Sequence, residues 1–167
     1  MRLVLTAAIL VALAVPAHAQ TTCKLENAVY AERENGYELH FRKGASWEMG
    51  GMVEAVFDLV MPDGRKLWGN IASNMGTSRD VGRLYFGCPS PTADGDILTD
   101  EQHDACIQWE GVVYALNKGE PEMMAGGTGL APERLLLTDL GRKIRYAMAD
   151  GPGDEPWDVF DFKRCTK

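Results

Sequence analysis

The sequence is short of the side chains on which most active sites depend. It has three histidines, and one of them, His18, lies in an N-terminal apolar segment. A Ser-His-Asp arrangement needs a histidine, which leaves His40 and His103 as the available bases of that kind. No G-x-S-x-G elbow surrounds Ser46, Ser73, Ser78 or Ser90. Cys-x-x-Cys is absent and the four cysteines are widely scattered, which argues against metal binding through sulfur pairs. Positive charge is also in deficit. Seventeen Lys and Arg against 24 Asp and Glu give a net charge of −7, which argues against a nucleic-acid partner, because affinity for phosphate backbones comes from clustered cations. The one basic cluster, Arg142, Lys143 and Arg145, would meet an anionic polymer or balance local acids on a solvated face.

Long apolar runs are missing except at the start. Residues 3–15 form a nearly unbroken apolar run after Arg2, followed by Pro16 and the small-residue site Ala17-His18-Ala19. At 13 residues the run is too short for a bilayer-spanning helix, which needs about 20. It reads as a secretory signal peptide cleaved after Ala19. Arg2 is the only charged residue in that leader, so cleavage leaves 148 residues and a net charge of −8. The mature chain, residues 20–167, is expected to be one globular domain in the periplasm or outside the cell, not membrane-spanning.

In that oxidising setting an even cysteine count reads as a disulfide framework. Cys23, Cys88, Cys106 and Cys165 allow three pairings. Cys23 and Cys165 sit at the two ends of the domain and Cys88 and Cys106 flank an irregular stretch, so the expected pairs are Cys23–Cys165 and Cys88–Cys106. The chain-entropy model assigns the shorter loop roughly 3 kcal/mol and the longer roughly 5.

Period-two alternation dominates the rest. Tyr37, Leu39 and Phe41 alternate with polar residues after Asn35-Gly36, a tight-turn dipeptide, and predict a hairpin with 25–33 as partner strand. Val53, Ala55, Phe57 and Leu59 alternate likewise before Met61-Pro62-Asp63-Gly64, and 66–71 returns with Leu67, Gly69 and Ile71 on one side. Further strands are expected at 82–88, 107–116 and 157–164. Thr99 with Gln102 has the form of a capping box opening a short helix. The 132–148 stretch fits a helix through Leu136, Leu137, Leu140, Ile144 and Met148, or a strand pair at 135–140 and 143–148. The stretch from Glu120 to Met124 reads as a loop with two hydrophobic anchors. The expected class is mainly β, an antiparallel sandwich or small barrel with one or two short helices; the alternative is α+β with a helix at about 132–148.

Two constellations could hold a metal. Asp94, Asp96, Asp100, Glu101 and Asp104 form an acidic stretch with hard oxygen ligands for calcium, although the EF-hand order fails at Leu98. His40 is followed within a dozen residues by Trp47, Met49 and Met52, and thioether plus imidazole suits copper(I). Locally this stretch resembles the periplasmic copper-chaperone family of small barrels. That resemblance covers 13 residues and implies His40, Met49 and Met52 as ligands with Trp47 as a cation–π cap. Here Gly-Gly separates the methionines. The same residues also read as core filler and packing.

Taken together these features point to an exported, non-enzymatic module that binds another envelope protein or a cell-wall component. The alternatives are a copper(I) carrier using His40, Met49 and Met52, and a hydrolase using carboxylates of the acidic stretch. That last reading needs those acids to converge in a concave pocket.

Overall fold

Alternation along the strands builds the wall of the molecule. In this computed structural model, which describes residues 22–73, 79–95, 98–148 and 154–166, nine strands form one antiparallel sheet. They are β1 (Ala28–Ala31), β2 (Glu38–Arg42), β3 (Val53–Val60), β4 (Lys66–Ala72), β5 (Val81–Tyr85), β6 (Ile107–Asn117), β7 (Glu120–Glu122), β8 (Arg134–Leu137) and β9 (Val159–Cys165). Each of β1 to β6 pairs with its successor, β6 then pairs with β8, β8 with β9, and β9 with β1. The result is a closed eight-stranded up-and-down barrel with β7 as an extra strand, so the sandwich alternative is set aside. Two short helices complete it: α1 (Asp100–Asp104) and α2 (Leu140–Ala147).

The inward residues are those the alternation marks. Leu39 and Phe41 of β2, Phe57 and Leu59 of β3, and Leu67 and Ile71 of β4 are buried, while Glu38, His40, Asp58, Trp68 and Asn70 face outward at half-buried positions. Charge outside and hydrocarbon inside is the reverse of a membrane-spanning barrel, whose outer band is apolar. Among the described residues no helix is long and apolar enough to cross a membrane.

Eight strands enclose just enough room for side chains to fill, and here they fill it. Tyr30 meets Phe41 and Phe162 edge-on with centroids 5.8 and 5.7 Å apart, and Phe41 lies 5.3 Å from Phe57. The Trp109 indole occupies space left by Gly82 and Gly111, which pair across β5 and β6. A Cβ on Gly82 would lie 2.7 Å from that ring and one on Gly111 2.8 Å from it, so neither position accepts a side chain.

The two ends of the barrel are closed differently. At one, here the plugged end, α2 lies across the opening with Leu140 and Ile144 fully buried, near Met61 and Met148 in the same core. At the other, the open end, the loop at 43–52 joins β2 to β3 and the segment at 123–130 crosses over. Cys23–Cys165 fastens the chain ends beside the β1–β9 seam, where Ala28 pairs with Cys165. Cys88–Cys106 ties the base of the α1 loop. Both pairings are those expected from the cysteine positions.

Some expectations are corrected. Residues 25–33 do not form one strand; Leu25–Asn27 is a 3-10 turn, because Leu25 and Glu26 donate to Gly129 and Gly127 carbonyls before β1 begins. The 132–148 stretch is neither a single helix nor a strand pair. Leu135 and Leu137 point inward with period two in β8, Asp139 takes a left-handed turn (φ 63°), and Leu140 and Ile144 then face the core with helical spacing. The Glu120 stretch begins as a strand. Lys118 and Gly119 both have positive φ (51° and 86°), the two-residue turn geometry that folds β7 back onto β6. Pro121 is tolerated because β7 is an edge. The 82–88 strand ends at Tyr85, and the expected 157–164 strand runs from Val159 to Cys165. Thr99 and Gln102 form both bonds of the expected capping box.

Candidate functional site

The open end carries a cavity of about 560 Å³, within the range of small-ligand sites. One wall comes from the loop at 43–52. There Glu48 accepts both guanidinium nitrogens of Arg42 at 2.7 Å and the Ala45 N–H at 2.9 Å, which folds the loop into a single turn. Hydrogen bonding from Arg42 holds the Glu48 carboxyl below the usual carboxylate range against the opposing effect of partial burial. That turn lays the Met49 thioether against Gly44 beside Val56.

The segment at 123–130 supplies the facing wall and is fastened at several points. Met124 N–H donates to the Asp80 carboxylate at 3.0 Å, Gly127 N–H to Glu54 O at 2.8 Å, and Ala131 N–H to Cys23 O at 2.8 Å. Returning bonds run from Glu26 N–H to Gly127 O and from Leu25 N–H to Gly129 O, each 2.9 Å. Asp80 is only 1% exposed, and its second carboxylate oxygen is buried without a hydrogen-bond partner.

Met49, Met124 and Val56 give the cavity an apolar floor; Arg42 and Lys43 stand on one side with Glu26 and Glu54 as opposite charges. Around this end Trp47, Met52, Met123 and Leu130 are about half exposed, at 49%, 46%, 45% and 55%. Thioethers are flexible and polarisable, so such a floor moulds to apolar groups of varied shape. Charges of both signs at the mouth suit a zwitterionic or mixed-charge ligand.

The copper residues proposed from the sequence are only partly brought together. Met49 lines the cavity, Met52 lies exposed on the rim, and Trp47 is exposed in the same loop. His40 sits on the outer face of β2 with its Nε2 2.6 Å from Glu38 Oε2, and it is not among the cavity residues. The thioether that does share the cavity with Met49 is Met124, one of the two hydrophobic anchors visible in the sequence beside Met123. Nothing in the local sequence marks it as a partner of Met49, because 75 residues separate them.

Of the acidic stretch, Asp94, Glu101 and Asp104 are exposed and none lines this cavity; Asp96 and the Asp100 side chain lie outside the described residues. Among the described residues no group of three or more His, Cys, Asp or Glu is placed to hold a metal ion. His103 packs edge-on against Tyr85 at 6.1 Å, and Tyr85 stacks on Trp68 at 4.0 Å, under the loop tied by Cys88–Cys106. The basic cluster is largely spent in ion pairs, Arg142 with Asp139 and Arg145 with Glu155.

No family model matches the chain, and neither a curated protein nor a solved structure is found to be similar to it.

Proposed function

We propose that the protein is an exported, non-enzymatic binding module that takes an apolar side chain of another envelope protein into the methionine-floored cavity at its open end. The observation that carries this reading is the pairing of Met49 with Met124 beneath a half-exposed apolar rim, in a barrel whose own interior is already filled. Opposed charges at the mouth, Lys43 against Glu26 and Glu54, match a peptide segment carrying both signs. Two disulfides suit an oxidising compartment, as does the leader-like segment at 1–19.

Methyl-labelled methionine resolves the question in one NMR titration. A blocked Lys-Leu-Leu-Glu peptide is expected to shift the Met49 and Met124 methyl signals saturably and to leave those of Met61 and Met148, at the plugged end, in place. Signals that stay put, or that move equally at both ends, overturn the reading.

A copper(I) carrier is the second reading, favoured by the two thioethers in one cavity. Under anaerobic conditions and against a competing chelator, it requires that Met49→Ala with Met124→Ala abolish copper(I) uptake. Uptake unchanged in that double variant removes it.

A further inference from the structure

At the plugged end, the segment at 154–158 is tied down from several directions. Tyr37 OH donates to Asp154 O at 2.8 Å, and Asn35 Nδ2 donates to Glu155 O at 2.7 Å. Arg145 pairs with the Glu155 carboxylate at 3.4 Å. The Asp158 carboxylate accepts the Asp139 and Gly141 N–H groups at 2.9 and 2.8 Å, and its backbone carbonyl accepts Leu137 N–H at 2.8 Å. Buried Pro156 places its carbonyl against Gly141 of α2, where a Cβ would have no room. In the middle of this fixed frame Trp157 is 57% exposed. Burying a large apolar side chain is worth roughly 1.5–3 kcal/mol. The frame forgoes much of that and holds the indole in water.

The indole borders a cleft of about 520 Å³ with Glu34, Asn35, Arg142, Glu155 and Asp158 around it. Most of the charge there is already compensated: Arg142 by Asp139, Glu155 by Arg145, and Asp158 by the two N–H groups at the start of α2. What remains is an aromatic surface with acceptors at Glu34 and the Asn35 amide oxygen and a donor at the Arg142 guanidinium. A hydroxyl both donates and accepts, and the electron-rich face of an indole attracts polarised C–H groups. A cation would meet the indole favourably but Arg142 unfavourably.

We propose that this cleft is a second binding site, for an uncharged sugar ring stacked on Trp157 with its hydroxyls shared among Glu34, Asn35 and Arg142. It stands independently of the open end, on the opposite side of a filled barrel.

The test is a titration of the mature protein with chitotriose and with cellotriose, followed by the indole N–H NMR signals of the four tryptophans. At least one sugar is expected to shift the Trp157 signal saturably while buried Trp109, stacked Trp68 and rim Trp47 do not move. Trp157→Ala should weaken binding by roughly tenfold or more, as for a central aromatic anchor, with the melting temperature nearly unchanged because the side chain is exposed. Glu34→Gln should weaken it by a few-fold. The proposal is overturned if neither sugar gives a saturable shift up to about 20 mM, well beyond the millimolar range of weak sites. It is equally overturned if Trp157→Ala binds as tightly as the parent, or if choline shifts the Trp157 signal where the sugars do not.

Discussion

The two ends of the barrel solve the same problem with different materials. At the plugged end, a helix with two fully buried aliphatic residues, Leu140 and Ile144, seals the opening by packing. At the open end, a segment at 123–130 that includes four residues of Ala125-Gly126-Gly127-Thr128-Gly129 other than glycine in only part is held by hydrogen bonds to Asp80, Glu54 and the Leu25–Asn27 turn. A packed seal leaves no space at the centre of the contact, whereas a strap fastened at its edges leaves a cavity beneath it. Binding sites thus arise at the open end inside the closure and at the plugged end only on its outer surface, beside Trp157.

The comparison can be broken first through its strongest element. Ile144→Ala removes a fully buried side chain from the plug and is expected to destabilise the whole domain by about 3 kcal/mol, read as a lowered denaturant midpoint with unchanged slope. A loss below about 1 kcal/mol would mean that α2 is not the seal described. Asp80→Ala, at the open end, deprives Met124 N–H of its acceptor and is expected to cost about 1–2 kcal/mol. That loss should be local. Hydrogen exchange should quicken at Met124 and Gly127 while the amides of α2 keep their protection, and loosening that spreads to α2 would contradict the independence of the two ends.

The wall between the ends provides the smallest effect. Partial burial pushes the Glu38 carboxyl up, but hydrogen bonds from Lys163 and His40 and the charge of Arg164 outweigh it and bring its pKa down to about 2. A carboxyl depressed on folding stabilises the folded state above its unfolded value of about 4.3, and that contribution is lost as the pH falls through the folded value. Glu38→Gln is therefore expected to cost about 1 kcal/mol at pH 7, with parent and variant converging between about pH 4 and pH 2. A stability gap that persists unchanged at pH 2 would sink this assignment.

Much of the wall was legible because strand alternation and tight-turn chemistry are local. Phe57 and Leu59 turn inward for the reason the pattern implies, and the Thr99 cap closes as its spacing requires. The 132–148 stretch was not legible, since Leu135 to Ile144 contains two apolar periods in succession and only the backbone bonds from Asp158 to Asp139 and Gly141 decide where one ends. The candidate sites were less legible still. Met49 stood out beside Met52, but its companion in the cavity is Met124, and Trp157 looked like the start of a strand.

By itself the sequence determined the β class, the outward polarity of the strands, the hairpin turns and the cysteine pairs, all of which follow from residue order over a few positions or from the compartment implied by the leader. Tertiary structure alone decided that the sheet closes on itself, that glycines of β5 and β6 yield their space to Trp109, and which ends carry clefts. Closure depends on the β1–β9 pairing between the first and last strands, and no local pattern encodes a contact between residues more than a hundred positions apart.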